Sequence, residues 1–238
     1  APAGYASTDL LLVDGGGNDA ADLVTAYLTV AAGGPASAYQ GFLMQQLDAA
    51  TLGAQFTQDP TGAMAAGAYM QKLADTYFDA IKTQALDKGA THVAVLNIPD
   101  ITITPRFQAV LGSMNAQQSA MMQGGIRQWL SAFNAQLKSR IGTDTRIALV
   151  DFYTDFQDEV AHPENYGLTN VKDPVCTTTV SETFGQFPCL STALDATPGK
   201  TAGWWKKHAF ADGFHPTPYA HGLLAASVSR ALARAGWL

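Results

Sequence analysis

Two short stretches of the chain carry side chains suited to acid–base and carbonyl chemistry. Near the C-terminus, Asp212-Gly213-Phe214-His215-Pro216-Thr217-Pro218 sets an aspartate and a histidine three apart, on a loop that leads into a helix. At that spacing the carboxylate can reach the imidazole Nδ1–H and fix its tautomer, leaving Nε2 to act as a base. Pro216 keeps the backbone beside it extended. Near the N-terminus, Gly15-Gly16-Gly17-Asn18-Asp19 follows an apolar run. Glycines let the chain turn tightly and expose the next side chain, which makes Asn18 an amide donor. Each stretch also has a plainer reading. The first can be a capping turn with a surface histidine, and the second a glycine-rich turn in which Asn18 and Asp19 cap the next helix. The glycines do not fit the dinucleotide fingerprint GxGxxG.

Other reactive residue types are less telling. His92 falls in a strand pattern and reads as a core or edge residue. His162, His208 and His221 lack the spacing of metal ligands, so no metal and no cofactor are expected. Asp158, Glu159 and Glu164 read as solvated loop charges. Trp204 and Trp205 read as core or as the rim of a pocket. Cys176 and Cys189, with twelve residues between them, lack a CxxC spacing. Two readings stay open. They are unrelated buried thiols, or they form a disulfide contributing roughly 3 kcal/mol on the chain-entropy model. An oxidising compartment is the favoured setting.

The elements that must position these residues follow from apolar patterning. Short continuous apolar runs at about 9–13, 91–97 and 146–152 suit parallel strands buried on both faces. Helical spacing covers about 19–32, 63–88, 115–140 and 218 to the C-terminus, with Ser113 as a candidate N-cap for the third and Thr217 for the fourth. Residues 33–62 look mixed, and 155–211 show little periodicity. Strands alternating with helices imply right-handed crossovers and an α/β parallel sheet in one domain, residues 1–238. In such a sheet ligands bind outside the carboxyl ends of the strands.

Composition narrows the function. The chain has 238 residues, of which 47% are hydrophobic and 14% charged. This content excludes intrinsic disorder. A net charge of −6 argues against a general nucleic-acid binder, so no nucleic-acid partner is expected. No apolar run reaches the ~18 residues of a membrane span. The low charged content fits an exported protein, secreted or periplasmic.

A strand ending in GGND, with DGFHPT far downstream before a C-terminal helix, resembles the GDSL (SGNH) hydrolase family. The stretch from Val150 to Phe156, with Pro163, Tyr166-Gly167 and Asp173-Pro174-Val175-Cys176 after it, is similar to secreted bacterial GDSL lipases and esterases. The resemblance implies a three-layer α/β/α, flavodoxin-like fold and cleavage of carboxylic esters. It gives Asn18 the role of oxyanion-hole amide, Gly16 the first position of the GxND motif, and Asp212 and His215 two places in a Ser-His-Asp triad.

The chain departs from the family at its start. It has no GDS motif, and its first strand matches the family's third. The first two strands, the nucleophilic serine and a second oxyanion glycine are therefore expected on an N-terminal segment. Either that segment is a fragment of the same precursor, nicked off but retained, or the sequence is part of a longer chain. Without it, the strand at 9–13 is expected to show a bare apolar edge. The expected activity is that of an esterase or lipase on lipid or small acyl esters. The alternative is a degenerate, non-catalytic binding module.

Overall fold

A computed structural model of the protein describes residues 4–176 and 190–238. Its centre is a parallel sheet of three strands in the order β1 (Leu10–Val13), β2 (His92–Leu96) and β3 (Ile147–Val150). Leu11 lies opposite Val93, and Val93 opposite Ile147. Parallel neighbours need long crossovers, and helices supply them. Between β1 and β2 run α1 (Gly17–Ala31), α2 (Ala36–Leu43), α3 (Ala49–Gln58) and α4 (Ala63–Gln84). Between β2 and β3 run α5 (Pro105–Gly112) and α6 (Ala116–Ile141). After β3 come α7 (Phe152–Ala161), α8 (Ser191–Asp195) and α9 (Pro218–Arg234).

Side chains alternate across the sheet, so each strand feeds two cores. Val93, Val95 and Ile147 face the larger one with α1, α4 and α6, where Met70, Leu73, Ile126, Leu130 and Phe133 are buried. Ala94, Leu96, Ala148 and Val150 face the other, under Ala231 and Leu232 of α9. This second layer covers only part of the sheet. Leu10 and Leu12, whose register partners are His92 and Ala94, remain 53% and 60% exposed. Among the described strands β1 lies at the sheet edge, as expected, and the face that carries Leu10 and Leu12 is bare as well.

Several sequence expectations change. Residues 33–62 hold two helices. Pro35 introduces α2, and the Asp48 side chain caps α3 by accepting from the Thr51 amide. Ser113 is not the N-cap of the long helix. It closes α5, while the Asn115 side chain caps α6 by accepting from Gln118 N. Glu159 is not a solvated loop charge. It lies on α7 and is only 3% exposed. Thr217 does cap α9, its Oγ1 accepting from Ala220 N with Pro218 at the first helical position. Cys189, and with it the Cys176–Cys189 pairing, lies outside the described residues. Among the described residues, no helix is long and apolar enough to cross a membrane.

Candidate active site

The turn after β1 is built on Gly16, which sits at φ 87° as the N-cap of α1. That left-handed conformation disfavours any residue with a Cβ. Space forbids one too, since a Cβ there would lie 2.9 Å from Ile98 Cδ1 and 3.2 Å from Phe133. Neither Asn18 nor Asp19 caps the helix with its side chain. Asn18 falls in the first turn of α1, and Asp19 there complements the positive end of the helix dipole. The Asn18 side chain is exposed and makes no hydrogen bond among the described residues.

The Asp212–His215 loop is built differently. Asp212 is 7% exposed. Its Oδ1 accepts from the backbone amides of Phe214 and His215, both at 2.7 Å. Its Oδ2 lies 2.8 Å from His215 Nδ1. With the proton on Nδ1 this contact is a hydrogen bond that fixes the ring, and the imidazole stays 44% exposed. Ala211 N donates to His215 O, and Thr217 Oγ1 donates to His208 O. Phe214 packs edge-on against Phe107. The residues just outside β2 and β3 complete the edge. Asn97 Nδ2 donates to Asp151 Oδ1, and Asn97 Oδ1 accepts from Tyr153 N. Burial works against the Asp151 carboxylate, but bonds from Asn97 and Thr154 outweigh it and hold its pKa below the usual range.

Of the residues singled out from the sequence, Asp212 and His215 are paired directly, while Gly16 and Asn18 lie together at the start of α1. Sequence reasoning missed Asn97, Asp151 and the wholly buried Asp100. Their signal was position, since Asn97 and Asp151 fall at the carboxyl ends of predicted strands and Asp100 just beyond one, where a parallel sheet gathers its polar groups. Trp205 is buried and Trp204 half-buried. Both donate their indole N–H to α8, to Asp195 and to the Leu194 carbonyl respectively. His92 is half-buried, with its ring edge-on to Trp237.

The molecule is thus an α/β protein whose parallel strands, packed by helices on one face and in part on the other, carry polar groups at their carboxyl ends. Its family can be stated as well. The GDSL-like Lipase/Acylhydrolase family model matches residues 3–228, and the chain belongs to that family. Membership implies an esterase- or lipase-type acyl hydrolase. No curated protein sequence matches the chain.

Proposed function

We propose that this chain supplies the base, the orienting acid and one oxyanion donor of a secreted serine esterase. The observation that carries the reading is the Asp212–His215 pair, a buried carboxylate 2.8 Å from the Nδ1 of a partly exposed imidazole. A serine hydroxyl attacks the ester carbonyl carbon while His215 takes its proton. Asp212 stabilises the imidazolium. The oxygen that gains charge is held by Asn18 Nδ2, which has no competing partner among the described residues. His215 then protonates the leaving alkoxide, and water hydrolyses the acyl-serine by the same route.

The nucleophile belongs, on this reading, to an N-terminal segment of the same precursor, seated along β1. The contrast between the outer strands supports that position. All of β3 is buried or half-buried, whereas Leu10 and Leu12 of β1 are exposed. Covering two leucines contributes on the order of 1 kcal/mol each, given that about half of each is still exposed. Water exclusion at the acyl-serine would also permit acyl transfer to an alcohol.

Labelling the native preparation with a fluorophosphonate, followed by mapping of the modified peptide, tests the reading. The expected label sits on a serine outside residues 1–238 and disappears in His215→Ala. Modification of a serine within the chain would overturn the placement of the nucleophile. A folded preparation that holds the N-terminal segment, yet neither labels nor turns over esters, would leave a binding module.

A further inference from the structure

The two halves of the site come from opposite ends of the chain, and something must hold them at a working separation. We infer that Arg106 is that positioning residue, and the inference rests on the esterase reading above. Pro105 and Arg106 open α5, so the Arg106 amide is one of the donors a helix start leaves without an internal partner. It donates to Gly213 O at 2.8 Å, within the Asp212–His215 loop. Its side chain points to the other half. Arg106 Nη2 donates to Thr25 Oγ1 at 3.1 Å, on the helix that begins with the Asn18 turn. The Thr25 hydroxyl gives its own proton to Ala21 O, which leaves a lone pair turned to the guanidinium. One residue thereby ties the loop of the base to the helix of the oxyanion donor.

The arm has a rigid root. Asp100 is fully buried, and its Oδ2 accepts from Arg127 Nε at 2.8 Å on α6 and from Gln157 Nε2 at 2.7 Å on α7. Its Oδ1 accepts from the Thr102 amide and hydroxyl. Gln108 Nε2 donates back to Thr102 O at 2.7 Å. A charge buried with this many partners is costly to displace, so the segment from 100 to 108 behaves as a strut. Arg106 makes no ion pair among the described residues, and its guanidinium carbon lies 5.5 Å from the centroid of the neighbouring Phe107 ring.

Arg106→Met, Thr25→Val, the double variant and Arg106→Lys test this in the complete enzyme. Arg106→Met and Thr25→Val should each lower kcat three- to tenfold with KM within twofold. The double variant should be no slower than the slower single one, because the two changes break one bond. Arg106→Lys should recover part of the loss. A second readout needs no turnover. Thr25→Val should shift the NMR signals of the His215 ring, and should not do so when Arg106 is already methionine. If esters are not hydrolysed at all, the catalytic reading fails while the NMR measurement still decides the coupling. Wild-type kcat and an unmoved His215 signal in Thr25→Val would overturn the inference, as would fully additive losses.

Discussion

The Asp212–His215 loop and the Asn18 turn are held in opposite ways. The first is braced from within. Its acid accepts two backbone amides and the imidazole, its Gly213 and His215 carbonyls accept from the amides of Arg106 and Ala211, and Phe214 is wedged against Phe107. The second is fixed in the backbone by Gly16, but Asn18 projects unbraced beside a strand with one bare face. The difference teaches where preorganisation resides. On the proposed reading this chain sets the base by itself, while the oxyanion side waits for a neighbour to fill the space along β1.

The sharpest way to break the comparison is through turnover. His215→Ala should lower ester hydrolysis by at least about four orders of magnitude, as removal of a triad histidine does. Asp212→Ala should cost nearly as much and should also loosen the loop, because three donors lose their acceptor at once. Asn18→Ala should cost roughly 10²–10³ in kcat. It should leave thermal stability unchanged, since its side chain braces nothing among the described residues. Steady-state kinetics with melting curves on the same samples checks both statements. Equal losses of stability in Asp212→Ala and Asn18→Ala would erase the distinction between the halves.

The turn itself offers a purely structural contrast. Gly16→Ala should destabilise by about 2–4 kcal/mol, combining the strain of a left-handed alanine with a forced contact on Ile98. Gly17→Ala should be within about 0.5 kcal/mol of wild type, because a Cβ there meets nothing within 4 Å and φ is not positive. Denaturant unfolding of the two variants measures the gap. Similar costs at both positions would mean that the turn is looser than its contacts indicate.

The two halves were also legible to different degrees. Asp212 and His215 are three residues apart, so local spacing announces their contact. The three strands and helices α4, α6 and α9 declare themselves through long apolar patterns, such as Met70, Leu73 and Ala74 on one face. Helix α7 does not, because Phe152 and Phe156 are its only large buried apolar residues and acids fill its exposed side. Its buried Glu159 breaks the rule that charge marks the surface. The Arg106 bridge was beyond reach for another reason. Its ends, Thr25 and Gly213, meet only when the crossovers close, and nothing in local pattern encodes that encounter.

Glu159 is the flaw in the braced half. It lies on α7, which is tied to α9 by Arg230 and Asp155. Among the described residues, its Oε1 has no hydrogen-bond partner. Burial pushes its pKa up to about 7, Asp155 adds to the rise, and Arg230 offsets part of it. A carboxyl whose folded pKa is raised favours the folded state while it stays protonated. Its contribution is complete below the unfolded value near 4.5 and is lost as pH rises to about 7. At about 1.4 kcal/mol per unit, the loss across that window is at most about 3.5 kcal/mol. Glu159→Gln keeps the shape and removes the charge. It should raise the melting temperature at pH 8, match wild type near pH 4.5, and flatten the fall between them. The change should leave the kinetic effect of Asn18→Ala untouched, because the charges that act on Glu159 are Asp155, Arg230 and Asp158, all on α7 and α9 and none in the Asn18 turn. An unchanged pH profile in Glu159→Gln would mean that the instability of the braced half lies elsewhere.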